Sequence, residues 1–268
     1  MIAALDLKKY FGPVAAVNGV TFTAHDGQVT GLLGPNGAGK TTTLRMLYGV
    51  MRSDGGTIEI DHIDATKHPR DAQARLGVLP DITGLYPRLT AREQVHYYGE
   101  LHGLEGEALA ERTADLLKTL DLTHLANRRA AGYSHGERTN ELLKTLDLMH
   151  VAERRSAGYS HGERTKVAIA RALVHEPQNI ILDEPTNGLD VMSTRAVRAI
   201  IKRLRAEGRC VLFSSHVMQE VSALCDSIVV IAGGKVVAHG TPDELRAKAG
   251  YDSLEDAFVA LAGAGDPR

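Results

Sequence analysis

Gly34-Pro35-Asn36-Gly37-Ala38-Gly39-Lys40-Thr41-Thr42 decides how the rest of this chain is read. A short apolar run, Val29-Thr30-Gly31-Leu32-Leu33, leads into it, and Thr43-Leu44-Arg45-Met46-Leu47 follows with helical character. Strand, glycine-rich turn and helix in that order, carrying G-x-x-x-x-G-K-[ST], make a phosphate-binding loop. The glycines let the backbone curl until its N–H groups point inward at phosphate oxygens. The helix that begins there adds the positive end of its dipole. Lys40 is expected to reach the β- and γ-phosphates, and the Thr41 hydroxyl to ligate Mg²⁺.

A phosphate loop needs acids at the end of a neighbouring strand. Asn179-Ile180-Ile181-Leu182-Asp183-Glu184-Pro185 supplies them. The run reads as a buried parallel strand whose carboxyl end, where ligands sit in open α/β sheets, carries two carboxylates. Asp183 is placed to hold magnesium through water, and Glu184 to polarise an attacking water. Read locally, the same pair equally suits a helix cap. A second buried strand, Val211-Leu212-Phe213-Ser214-Ser215-His216, delivers His216 to the same edge, close to the terminal phosphate.

The remaining segments fit an α/β domain. Residues 1–33 are β-rich, and Val17–Thr23 alternates with period two. Thr57–Asp61 and Leu76–Leu79 read as strands, and Thr90-Ala91-Arg92-Glu93 has the spacing of a capping box. Gly233-Gly234 marks a hairpin between Ser227–Ile231 and Lys235–Ala238, and Pro242 opens a C-terminal helical tail. Thr194–Arg205 is helical, with Val197, Ile200, Ile201 and Leu204 on one face.

One segment stands apart. Glu111–Gly136 and Glu137–Gly162 are two copies of a 26-residue unit that differ at six positions. Two copies are too few for a solenoid, which needs about three or more repeats. The unit reads as a tandem duplication inside a helical region, each copy a helix, a loop and the start of another helix.

Composition narrows the function. The chain has 268 residues, 43% of them hydrophobic, a formal charge of −2 and a pI near 6.6. No basic field points to nucleic acid. Residues 1–9 are too short and too charged for a leader, and no apolar run approaches the ~20 residues that span a bilayer. Cys210 and Cys225 have no metal-ligand spacing, and a reduced, cytosolic state is expected.

These motifs, in this order from about Leu5 to His239, resemble those of an ATP-binding cassette (ABC) ATPase. The likeness is greatest to the ATP-binding subunits of bacterial ABC-2-type exporters, NatA-like sodium exporters among them. The resemblance implies a P-loop NTPase core sheet, an N-terminal antiparallel β subdomain, and a helical signature subdomain at about 81–175 that the duplication enlarges. It implies a nucleotide-binding domain over 1–240 and a helical tail over 241–268. Phe11, next to Tyr10, matches the aromatic that stacks on adenine. Tyr159-Ser160-His161-Gly162-Glu163 matches the signature motif, whose Ser160 and Gly162 would face ATP on a partner cassette. Gly188-Leu189-Asp190 matches the D-loop, and His216 the switch histidine. Asp81 stands where a magnesium-coupling glutamine is usual, and His161 and Glu163 replace a signature glycine and glutamine. Glu163 raises the prospect of like-charge repulsion against phosphate.

Tyr133–Glu137 repeats the signature; the second copy is expected to work, because it runs directly into the strand ending at Asp183. The resemblance further implies ATP and Mg²⁺ as cofactors and a cassette homodimer on ATP binding. It implies a separate membrane permease docked on the helical region, and a cytoplasmic chain peripheral to the inner face of the membrane. Two rival readings stay open: a nucleotide-gated regulatory scaffold that hydrolyses poorly, and a soluble ABC protein without a permease.

Overall fold

The continuous apolar runs around Leu32, Ile181 and Leu212 have no polar face to offer water, so they must sit inside a sheet covered on both sides. The computed structural model, which describes residues 1–81, 84–130 and 159–263, places them there. In chain order the strands are β1 (Ile2–Phe11), β2 (Val14–Ala24), β3 (Val29–Leu33), β4 (Gly55–Ile60), β5 (Ile63–Asp64), β6 (Leu76–Leu79), β7 (Asn179–Asp183), β8 (Cys210–Ser214), β9 (Ser227–Ala232) and β10 (Lys235–Gly240). The helices are α1 (Lys40–Leu47), α2 (Pro69–Gln73), α3 (Ala91–Leu101), α4 (Gly106–Thr119), α5 (His161–Leu173), α6 (Val191–Ala206), α7 (Met218–Leu224), α8 (Pro242–Ala249) and α9 (Leu254–Gly263).

The chain forms two compact units. The first takes Met1–Asp81, Glu176–Asn187 and Arg195–Arg268. It holds both sheets. One is antiparallel, in the order β2-β1-β4-β5; the other has six strands, β10-β9-β3-β8-β7-β6. Within the larger sheet, β9, β3, β8, β7 and β6 run parallel, and every residue of β3, β7 and β8 is buried. The register sets Leu32 beside Ser214 and Ser214 beside Asp183. The carboxyl ends of β3, β7 and β8 therefore finish level, and three loops leave from one edge. The Gly233-Gly234 turn has φ of 53° and 74°, as a two-residue hairpin requires. Helices α8 and α9 belong to this unit, α9 packing against β9.

The second unit takes Ile82–His175 and Gly188–Thr194. The Thr90–Glu93 capping box forms, with both reciprocal bonds, at the start of α3. Gly99 of α3 lets α4 approach: a methyl group there would collide with Leu109. Arg112 of α4 donates to the carbonyls of Leu173 and Val174, satisfying the open end of α5. Helix α4 carries the first nine residues of the first repeat, Glu111–Thr119, and a short 3-10 turn follows at Thr123–Leu125. Residues 131–158, which hold the first signature copy and most of the second repeat, lie outside the described residues. On either side of them, the Tyr159 N–H donates to the Ala130 carbonyl at 3.4 Å, and the Tyr159 hydroxyl donates to the Arg128 carbonyl.

Candidate functional site

The phosphate loop is shaped by what its glycines must avoid. A methyl group on Gly34 would strike the Ile231 carbonyl, and one on Gly39 the Ala16 carbonyl. Gly39 also has φ +103° and Gly37 φ +80°, both in the region open to glycine. The loop is pinned on the β9 and β2 sides, with Gly234 N–H donating to the Ala38 carbonyl at 3.1 Å. Lys40 is 8% exposed and folds back over the loop, its Nζ donating to the Gly34 carbonyl at 2.7 Å and to the Pro35 carbonyl at 3.2 Å. Burial lowers its pKa, and the charges of Glu184 and Asp183 partly restore it. An ammonium held by carbonyls alone has no anionic partner in its cradle. A phosphate would supply one.

Asp183 ends β7 at 1% exposure. Burial raises its pKa, opposed by the hydroxyl of Ser214, which donates to Oδ1 at 2.5 Å. Its Oδ2 is buried and has no partner of ordinary hydrogen-bond geometry, although the Thr41 hydroxyl stands close enough to pull the pKa down. A buried carboxylate oxygen beside a hydroxyl, at the mouth of a phosphate loop, fits a hard cation with water and phosphate as its other ligands. Among the described residues no cluster of three or more His, Cys, Asp or Glu could hold a metal unaided. Mg²⁺ suits a carboxylate and a hydroxyl beside phosphate, because it keeps its waters and shares phosphate oxygens. Asp81 follows β6 and acts electrostatically on Asp183, while Arg45 of α1 lies 3.6 Å from its carboxylate. So Asp81 is shared between the site and α1.

Glu184 has φ +49°, a left-handed backbone that few side-chain-bearing residues adopt. Its N–H donates to Ser214 Oγ at 2.9 Å, and its Oε2 lies 2.8 Å from His216 Nδ1. One Ser214 hydroxyl thus accepts from Glu184 and donates to Asp183. Phe11 is 49% exposed near the β1–β2 turn, with Lys9 Nζ 5.9 Å from its ring. The first unit therefore gathers Gly34–Thr42, Asp81, Asp183, Glu184 and His216, with Phe11 open to solvent on the antiparallel sheet.

Ser160 and Gly162 belong to the second unit. Ser160 is the N-cap of α5: its Oγ accepts the Glu163 N–H at 3.2 Å, while Glu163 Oε2 accepts the Ser160 N–H at 2.6 Å. The other Glu163 oxygen lies 3.2 Å from His124 Nε2. Burial works to raise the Glu163 pKa, but the Ser160 and His124 hydrogen bonds outweigh it and the pKa is lowered. The carboxylate is thus turned back on its own helix, which relieves the concern over repulsion. The Ser160 hydroxyl accepts in the cap and keeps its own proton for an incoming oxygen. A methyl group on Gly162 would collide with Ser193, itself held by Asp190, and His161 lies against Gly188. The start of α5 and the segment Gly188–Ser193 are thus packed to each other.

The family model described as ABC transporter matches residues 17–187. The chain belongs to the ABC transporter family. Its relatives include the ABC transporter ATP-binding protein NatA of Bacillus subtilis (strain 168), 39% identical over 92% of this chain and 90% of that one. The linearmycin resistance ATP-binding protein LnrL of the same organism is 33% identical over 95% of this chain and 73% of its own length. A solved structure of an ATP-binding subunit of an ABC transporter superposes with a TM-score of 0.81 at 27% identity, covering 97% of this chain and 99% of that one. This ABC cassette is an ATP-binding ATPase. Among the described residues no helix is long and apolar enough to cross a membrane.

Sequence reading singled out Lys40, Asp183, Glu184 and His216 and passed over the residues that brace them. Ser214, Thr186 and Glu220 carry no motif of their own. The one available signal was position: each lies two to four residues from Glu184 or His216.

Proposed function

We propose that this ABC cassette hydrolyses Mg-ATP at the edge where β3, β7 and β8 end, and that hydrolysis drives export through a separate transmembrane subunit. The observation that carries the reading is the meeting of Lys40, Asp183, Glu184 and His216 around one glycine cradle. Gly34–Thr42 would bind the phosphates through backbone N–H groups, with Phe11 beneath adenine. Thr41, Asp183 and, through water, Asp81 would hold Mg²⁺, which neutralises charge on the phosphates. Glu184 orients the attacking water and accepts its proton at Oε2 or Oε1. His216, already bonded to Glu184, keeps that carboxylate aimed and turns its other ring nitrogen toward the γ-phosphate.

Ser160 and Gly162 are proposed to face the ATP of a second copy. The second repeat, not the first, suits this role for a packing reason. Val167 and Ala170 are buried in α5, and the corresponding residues after the first signature are Glu141 and Lys144. Two unpaired charges at dry positions would cost several kcal/mol. Head-to-tail closure on two ATP molecules, and release on hydrolysis, would be the motion passed to the permease, with the chain peripheral to the inner face of the membrane.

An apolar groove of about 520 Å³ in the second unit, lined by Tyr86, Pro87, Arg88, Leu89 and Tyr97, offers the permease a surface. The cargo is proposed to be a small efflux substrate, sodium or a drug; LnrL is named for linearmycin resistance. Turnover of the purified chain with Mg-ATP, with Glu184→Gln as control, tests the reading, and co-purification with a membrane subunit tests the coupling. Absence of turnover would replace it with a nucleotide-gated scaffold. Loss of activity in Ser134→Ala but not in Ser160→Ala would reverse the assignment of the signature.

A further inference from the structure

A carboxylate outside the site raises a question that the hydrolytic residues do not answer. Glu220 of α7 is 3% exposed and takes no part in the proposed chemistry. Its Oε2 accepts the hydroxyl of Thr186, itself 8% exposed, and its Oε1 lies 3.5 Å from Nη2 of Arg198 on α6. Burying a carboxylate is expensive, and an apolar replacement of similar volume is often as stable or more so. Core stability alone would not favour a glutamate here.

Its two attachments explain the placement. Thr186 lies two residues after Glu184, on the loop that leaves β7. Glu220 lies four residues after His216, in the first turn of α7, where its N–H donates to the Val217 carbonyl at 3.1 Å. The Glu220–Thr186 bond therefore joins the loop behind Glu184 to the helix behind His216. Ser214 joins the same two segments from the sheet side, through the Glu184 N–H at 2.9 Å. Between these two ties stand the left-handed backbone of Glu184 and its 2.8 Å contact with His216. A left-handed glutamate persists only where its surroundings over-determine it.

We infer that Glu220 is a positioning residue for hydrolysis, its buried carboxylate holding Thr186 so that Glu184 and His216 stay at bonding distance. This rests on the assignment of Glu184 and His216 above. The probe is Mg-ATP itself, with kcat, KM and nucleotide retention measured on the full chain. Thr186→Val keeps the shape and removes the hydroxyl, and Thr186→Ser restores it. Glu220→Gln keeps an acceptor for Thr186.

Thr186→Val is expected to lower kcat by about 10- to 100-fold, as a misplacement near 1 Å does. KM and retention should stay within about twofold. Thr186→Ser and Glu220→Gln should recover most of the rate. A wild-type kcat in Thr186→Val overturns the inference, as does a fall in retention that matches the fall in kcat. Wild-type turnover abolished by Glu184→Gln in the same assay separates this from failure of the underlying reading. Should that control fail, both fall together.

Discussion

Removing residues 131–156 should leave a folded ATPase. The excision joins Ala130 to Ala157 and deletes one repeat length of 26 residues. Every described residue is retained. The ends already meet, since the Ala130 carbonyl accepts the Tyr159 N–H at 3.4 Å and the Arg128 carbonyl accepts the Tyr159 hydroxyl. The length-dependent part of closing a 26-residue chain, (3/2)RT ln n, amounts to about 3 kcal/mol. That is the upper limit on the stability to be gained. For a chain of this size it corresponds to a rise in Tm of about 6–12 °C.

Excising residues 111–136 instead would seat Glu137–Ser156 where Glu111–Ala130 now lies. Six of the eight buried positions, Thr113, Leu116, Leu117, Leu120, Leu122 and Ala126, would find the same residue. Leu125 and Ala130 would be replaced by Val and Ser. That variant should be about 1 kcal/mol less stable than the first, the cost of one buried methylene. Thermal melts with and without Mg-ATP, read beside turnover, decide the matter. A 131–156 excision that melts below the wild type, or loses nucleotide retention, refutes the claim that the described fold is complete without the insertion.

Lys40→Ala should abolish Mg-ATP retention in a nucleotide-binding titration, whereas Glu184→Gln should retain nucleotide and lose about 10²–10⁴-fold in turnover. Gly39→Ala should lower stability by about 1–2 kcal/mol from its left-handed φ alone, and by more from collision with the Ala16 carbonyl, read by urea midpoint. Ser160→Ala should remove about 1 kcal/mol of helix capping and, in addition, ATP-driven dimerisation, read by size-exclusion with Mg-ATP on the Glu184→Gln background. The pKa of Glu163 is lower in the folded chain than its ordinary 4.5, so its contribution to stability is present above about pH 4.5 and is lost as the pH falls through the folded value. Glu163→Gln should flatten that part of a pH–stability curve; an unchanged acid limb contradicts the capping assignment.

What could be read from the chain was whatever repeats a local rule. The strand–loop–helix around Lys40, the buried runs into Asp183 and Ser214, the capping box at Thr90 and the hairpin at Gly233 each follow from a few neighbouring residues. The helix at Thr194–Arg205 was legible in its apolar face, but its start at Val191 was not, because Ser193 and Asp190 make that turn from polar groups. Glu163 was misleading for the same reason: a carboxylate in a signature motif suggests repulsion until its side chain is seen bonded to Ser160 and His124. The Thr186–Glu220 bond lay beyond sequence reasoning, since the two residues are 34 apart and meet only once β7 and β8 are neighbours.

The backbone at Glu184 has an implication for how such a protein could be improved. A left-handed residue there would be relaxed by glycine, and the strain removed is on the order of 1–2 kcal/mol. A laboratory selection that rewarded heat tolerance alone would favour replacing this carboxylate, which under the proposed mechanism yields a hardier protein that grips ATP and does nothing with it. Screens for robust variants of this cassette must therefore score catalysis in every round.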